Sequence, residues 1–176
     1  FLEMPPILLE NLIYERDFLL FIGQHYKTGE SLNEAFLSSR KISKKFGLGY
    51  TLQTQTALSM LSLRLFWQRE EASSTEIREE IYEKVQPFIS HVEKHHFEAT
   101  FRHIADPLYG AKYYGFLYAL GLSYEVYNQI QKDPKKEWFR FRKIVLEKGG
   151  LGNPLEALTL FLGKTPAIKP FLDEIR

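Results

Sequence analysis

Apolar side chains in this chain recur three and four residues apart, in short bursts ended by glycine or proline. That spacing constrains the fold more than any other feature, because it places residues on one face of a helix, whereas a strand needs strict alternation. Ile7, Leu8, Leu9, Leu12, Ile13, Phe18, Leu19 and Ile22 give a broad buried face after Pro5-Pro6, a pair suited to a first turn. A single helix is expected from there to about His25, with Lys27-Thr28-Gly29 as its stop. Ser31 with Glu34 and Ser73 with Glu76 have capping-box spacing. The first pair should open a helix through Lys41, the second a charged helix ending near Pro87. Between them, after Gly47 and Gly49, Leu52 to Trp67 carries few charges and reads as a central helix. Asp133-Pro134 should break one helix, and the next, KKEWFRFRKIVLEK, should end at Gly149-Gly150. Asn153-Pro154 and Thr165-Pro166 each read as an N-cap followed by a first-turn proline, so two short helices are expected to finish the chain. No sustained period-2 run is bounded by hairpin turns, and no repeat recurs at a fixed spacing. The expected fold is all-α, one multi-helix unit over residues 1–176.

The 23 basic and 22 acidic side chains leave a formal net charge of +1. Such balance argues against a nucleic-acid partner or an acidic membrane surface, either of which asks for a clustered basic excess. The helix containing KKEWFRFRK is the one basic-aromatic stretch, and a charge run of that kind is ordinarily a solvated face. No apolar run approaches the roughly 20 residues that a membrane span requires. The chain has no cysteine, which excludes thiol nucleophiles and disulfides and suits a reducing, cytoplasmic setting. Phe1-Leu2-Glu3 carries neither an initiator methionine nor a basic leader, so the chain is expected to begin inside a longer protein.

Six of the ten tyrosines fall between Tyr109 and Tyr127. On a helix, Tyr109, Tyr113, Phe116 and Leu120 share a face, and His103 precedes them across Asp106-Pro107, a turn-favouring pair. Two readings stay open. The stripe is the packed face of a core helix, or the histidine and phenols are hydrogen-bond donors to a developing oxyanion.

Other candidates are weaker. His91 and His95 are four apart, yet HVEKH puts its acid in the third place, not the second as in HExxH, and solvated histidines are the simpler reading. His25, beyond an apolar helix, suits the negative end of the helix dipole. Glu3 and Glu10 lie two helical turns apart on one face. A carboxylate there is costly unless paired, capped or metal-bound. Gly47-Leu48-Gly49 lacks the glycine or Gly-Lys-Ser/Thr of a phosphate cradle, and no Gly-x-Ser-x-Gly elbow occurs.

Several stretches in order resemble one family. Phe1-Leu2-Glu3-Met4-Pro5 through Leu9-Glu10-Asn11 resembles the segment after the zinc-binding helix of the thimet oligopeptidase, neurolysin and mitochondrial intermediate peptidase family. There an aromatic, an aliphatic, Glu, any residue and Pro are followed by a second Glu seven after the first. His25-Tyr26-Lys27-Thr28-Gly29 continues the match. His103 with Tyr109-Gly110-Ala111-Lys112-Tyr113-Tyr114-Gly115 looks like the family's tyrosine-rich loop and helix. Phe141-Arg142, Gly149-Gly150 and Phe161-Leu162-Gly163-Lys164-Thr165-Pro166 resemble its tail.

The resemblance implies that Glu3 is the third ligand of a zinc ion whose two histidines and general-base Glu come from an HExxH helix. No HExxH occurs in these 176 residues, so the resemblance also implies a missing N-terminal part of the same protein. It further implies that His103 and Tyr113 help stabilise the tetrahedral oxyanion and that Tyr109 and Phe116 line the short peptide substrate. Three positions depart from the pattern. Phe116 stands where a tyrosine implicated in the transition state is usual, so that hydroxyl's role is lost or passes to Tyr113 or another phenol. Asp106-Pro107-Leu108 replaces a glycine-rich loop, and Pro6-Ile7 replaces Ser-Gln. The implied activity is that of a cytosolic zinc oligopeptidase, with this chain inactive in isolation. The alternative, favoured by Phe116 and the absent HExxH, is a non-catalytic helical interaction module built on the same scaffold.

Overall fold

A computed structural model describes residues 1–67, 72–90, 92 and 95–175. The chain is all-α: the described residues form ten α-helices, short 3-10 and π turns, and one isolated bridge between Gln24 and Ser31. The helices gather into two compact units, one from residues 1–46 and 119–176, the other from 47–118.

The first unit holds α1 (Met4–Glu10), α2 (Arg16–Ile22), α3 (Glu34–Ser43), residues 119–130 of α7 (Gly115–Ile130), α8 (Pro134–Phe141), α9 (Pro154–Leu162) and α10 (Lys169–Glu174). Its core is built from residues three or four apart: Met4 and Leu8; Ala119, Leu122, Val126 and Ile130; Phe141 and Val145; Leu158 and Phe161. Each set is one stripe of an amphipathic segment, as helical periodicity demands. Phe141 and Phe161 meet edge to face with centroids 5.5 Å apart. Between α8 and α9 the chain passes through a π turn, Arg142–Leu146, that keeps Val145 in the core.

The single helix expected up to His25 is in fact two. Asn11 is buried and turns its side-chain amide back onto the carbonyls of Ile7 and Leu8, and a 3-10 turn, Asn11–Tyr14, follows α1. Glu15 is then extended, and its carboxylate accepts the hydroxyl of Tyr127 from α7. Burial, reinforced by that carboxylate, pushes the Tyr127 phenol well above its ordinary value. A tertiary bond thus overrides an apolar pattern that continues through the break. Beyond α2, His25 lies in a loop closed by Gly29 at φ 73°, and its Nδ1 lies 3.2 Å from the backbone N of Thr28 and 3.0 Å from the Thr28 hydroxyl.

Two other expected helix starts are displaced. Ser31 does not cap α3; Asn33 does, accepting from the backbone N–H of Phe36. Thr165-Pro166 lies outside any helix, and α10 begins at Lys169. The reason lies in Glu125 of α7, a buried carboxylate that pairs with Lys164 at 2.6 Å and accepts from the backbone N–H of Ala167 at 2.6 Å. Residues 164–167 are committed to covering that charge. Asp133 and Asn153, by contrast, cap α8 and α9 as expected, and Gly163 ends α9 in the left-handed conformation. Lys44, just past α3, lies over the rings of Tyr14, Tyr124 and Tyr127 at 5.8, 5.5 and 5.8 Å, a cation–π arrangement that ties α3 to α7.

The second unit is led by α4 (Leu48–Trp67), one turn longer than expected because Gly49 is helical, and α5 (Ser74–Val85). The Ser73–Glu76 capping box forms in both directions. Gln86 donates to Thr54 at 2.8 Å and Arg64 pairs with Glu80 at 2.8 Å, so the two helices run antiparallel. Ala57, Leu58 and Leu61 of α4 pack with Ile77 and Ile81 of α5, Phe101 and Tyr113.

Leu8 is fully buried in the first core. Leu8→Ala should cost about 2–5 kcal/mol, the range for truncating a core leucine, read as a lower midpoint in denaturant titration.

Candidate functional site

Helical spacing predicts that Tyr109, Tyr113 and Phe116 meet along one helix. They do meet, by a different route. α7 begins only at Gly115, and the two tyrosines precede it around a 3-10 turn, Gly110–Lys112. A second 3-10 turn, Arg102–Ala105, carries His103. Asp106 joins the two: its side chain accepts from Leu108 N–H at 2.8 Å, and its carbonyl accepts from Tyr109 N–H at 3.0 Å and Gly110 N–H at 2.8 Å. The Asp-Pro pair therefore makes the turn its residue types favour.

His103 lies at the centre of four rings. Its ring centroid is 5.4 Å from Tyr109, 5.2 Å from Tyr113, 6.0 Å from Phe116 and 5.4 Å from Phe101. Tyr109 and Phe116 stack at 5.5 Å with planes 14° apart, while Phe101 meets the Tyr113 ring edge-on at 4.9 Å. Contacts of this kind contribute about 0.5–1.5 kcal/mol each beyond buried area. The imidazole is thus oriented mainly by rings. His103, Tyr109 and Phe116 are half-buried, and Tyr113 is 7% exposed. Burial pushes the Tyr113 phenol up, against the opposing pull of a hydrogen bond with the Gln55 side chain of α4. At neutral pH it is a protonated donor.

Beneath the cluster, Phe97 stacks on Phe101 at 5.9 Å, and both flank the short helix α6 (Phe97–Thr100). Glu98 of α6 is buried and pairs at 3.1 Å with Arg78 of α5, itself buried. Thr75 donates to the same carboxylate at 2.5 Å, and His96 lies 3.4 Å from it. Desolvation works to raise the Glu98 carboxyl. The Thr75 hydroxyl, the local backbone, His96 and Arg78 together outweigh it and hold the group below its ordinary value.

Glu3 belongs to the first unit. It is half-buried at the start of α1 and makes no side-chain cap to its own first turn. A carboxylate there has the hard oxygen donor that one position of a zinc site takes. Among the described residues no three His, Cys, Asp or Glu side chains converge on a metal position. Glu3 by its chemistry could fill one position of such a site. Of the HVEKH pair, His91 lies outside the described residues; His95 and His96 are exposed, as solvated histidines would be.

Ser62, Gln55 and the Arg78–Glu98 pair belong to the surroundings of the cluster without any local pattern that marks them. Phe97 and Phe101, four apart, carry a periodic signal that would find them.

Peptidase family M3 matches residues 1–176, and the chain belongs to that family. It is 28% identical over 180 residues to a probable cytosolic oligopeptidase A of Arabidopsis thaliana, a match covering 97% of this chain and 26% of that protein. Saccharolysin of Saccharomyces cerevisiae is 28% identical over 180 residues, covering 99% of this chain and 25% of the relative. A mitochondrial intermediate peptidase of Arabidopsis thaliana is 27% identical over 189 residues, covering 99% and 26%. The chain spans about a quarter of the length of these relatives. Among the described residues, no helix is long and apolar enough to cross a membrane.

Because the Glu98 carboxyl is lowered, its share of stability is present above the unfolded value and lost as pH falls through the folded one. Tyrosine and histidine signals of the cluster should therefore lose dispersion as pH falls below the ordinary carboxylate range, and Glu98→Gln, which has no carboxyl to protonate, should lack that acid step. The same acid response in Glu98→Gln as in the unmodified protein would dissociate the ion pair from the site.

Proposed function

We propose that this chain is the C-terminal part of the catalytic domain of a zinc-dependent oligopeptidase acting on short peptides in the cytosol. The observation that carries the reading is the end-to-end family match. It is joined by the gathering of His103, Tyr109, Tyr113 and Phe116 around one imidazole. The relatives' names describe oligopeptidases and an intermediate peptidase.

In this reading Glu3 is one zinc ligand, and an N-terminal part of the same protein supplies the rest. Zinc when bound polarises the scissile carbonyl and lowers the pKa of its water. His103 and Tyr113 act as donors to the oxyanion, in a setting where water exclusion makes each donor count for a few kcal/mol. The protonated Tyr113 phenol suits that role, since a phenolate has no proton to donate. Tyr109 and Phe116, stacked on each other, offer the substrate an apolar wall. Phe116 has no hydroxyl and contributes shape only.

The test is hydrolysis of a quenched fluorescent peptide by the complete protein, with and without a zinc chelator. Chelator-sensitive cleavage supports the reading; a folded, zinc-free and inactive protein would move it to a helical interaction module. Within it, Glu3→Ala should abolish bound zinc and cleavage, measured by metal analysis alongside rate; zinc retained at full occupancy removes Glu3 from the ligands. Tyr113→Phe should lower kcat by about tenfold to a hundredfold, with metal content unchanged and Tm lowered only by the loss of one hydrogen bond, a few degrees on the scale of about 1 kcal/mol. An unchanged kcat would mean that the hydroxyl is not used in the transition state.

A further inference from the structure

Ser62 lies on α4, 0% exposed, one turn after a second buried serine, Ser59. A buried hydroxyl is costly unless it is partnered, and here both its capacities are used. Its Oγ donates to the carbonyl of Gly110 at 2.5 Å and accepts from the backbone N–H of Tyr113 at 3.4 Å. Those two backbone groups bracket the 3-10 turn that carries Tyr109 into Tyr113. The turn also comes close to α4 at Gly110, where an added Cβ would sit 3.3 Å from the Phe66 ring. Gln55, two turns earlier on α4, bonds to the Tyr113 side chain.

One helix thus holds Tyr113 at both its backbone and its phenol. We propose that Ser62 is a positioning residue: its hydroxyl clamps the Gly110–Tyr113 turn to α4 and so sets where the Tyr109 ring and the Tyr113 phenol stand beside His103. The proposal rests on the peptidase reading for its catalytic consequence but not for the clamp itself. Loss of the hydroxyl frees one carbonyl and one amide at the two ends of a three-residue turn, without removing any ring. The turn then shifts while the core beneath it remains.

The test compares Ser62→Ala with the unmodified complete protein by amide hydrogen exchange and steady-state kinetics. In the alanine variant, exchange in peptides covering residues 110–114 should rise about tenfold, the scale of one or two lost hydrogen bonds. Exchange along α4 and α5 should stay unchanged. kcat should fall about tenfold with KM within about twofold. Unchanged exchange at 110–114 overturns the clamp, and so does a uniform rise across α4, α5 and the turn, which would mark a purely structural role. If the unmodified protein cleaves no peptide, the peptidase reading falls, and exchange at 110–114 alone decides for or against the clamp.

Discussion

Everything in the second unit depends on how close other segments can come to one narrow face of α4. Ala57, Leu61 and Ser62 on that face are fully buried, and two of the three are small. Small side chains let Ile77 and Ile81 of α5 pack down between them, and let a turn lie against the helix with its carbonyl within hydrogen-bond reach. Close packing at native density makes such a face intolerant of added volume. His103, Tyr109 and Tyr113 lie on or beside 3-10 turns of three or four residues, too short to hold themselves, so their placement leans on this contact. 3-10 turns have poorer hydrogen-bond geometry than α-helix and persist only where tertiary contacts hold them.

What is legible in the sequence is whatever is decided locally. Ser73, Asp133 and Asn153 cap helices with their own side chains within three residues, and each does so where its spacing predicts. The all-α class follows from periodicity alone. Ser31 carries a similar pattern and does not cap, because Asn33, two residues on, offers a side chain to the amide of Phe36. Glu15 and Thr165-Pro166 depart from their local patterns for another reason. Their conformations are set by Tyr127 and Glu125, partners far away in the chain that no local pattern announces. A helical stripe predicts the grouping of Tyr109, Tyr113 and Phe116, yet a turn, not a helix, brings the two tyrosines there. Ser62 gives no signal: a serine in an apolar helix reads as a tolerated polar residue until its distant partner is seen.

A near-neutral composition also hides where charge is placed. Arg78–Glu98, Lys164–Glu125 and Arg140–Glu137 each put a carboxylate out of water with a cation beside it. Such pairs add little net stability, but for Arg78–Glu98, buried on both sides, removing one partner costs about 3–5 kcal/mol because the other charge is left stranded. Each joins different segments: α5 to α6, α7 to the stretch after α9, and, through Gln129, α7 to α8. They serve as tests of correct assembly, since a misplaced helix leaves a bare charge.

The first unit is made from residues 1–46 and 119–176, separated in sequence by residues 47–118. Tyr127 meets Glu15 across 112 positions, and Met4 and Leu8 share a core with Val126, Phe141 and Leu158. Closing a loop of that length costs conformational entropy before any contact rewards it, and contacts of high sequence separation form slowly. On a ribosome, α1 leaves the tunnel early and waits for α7, α8 and α9 before its apolar stripe can be covered. During that interval Met4 and Leu8 face water or a chaperone, and the carboxylate of Glu3 has no fixed direction. α1 therefore acquires its fixed place late in synthesis, timed by the emergence of α7, α8 and α9.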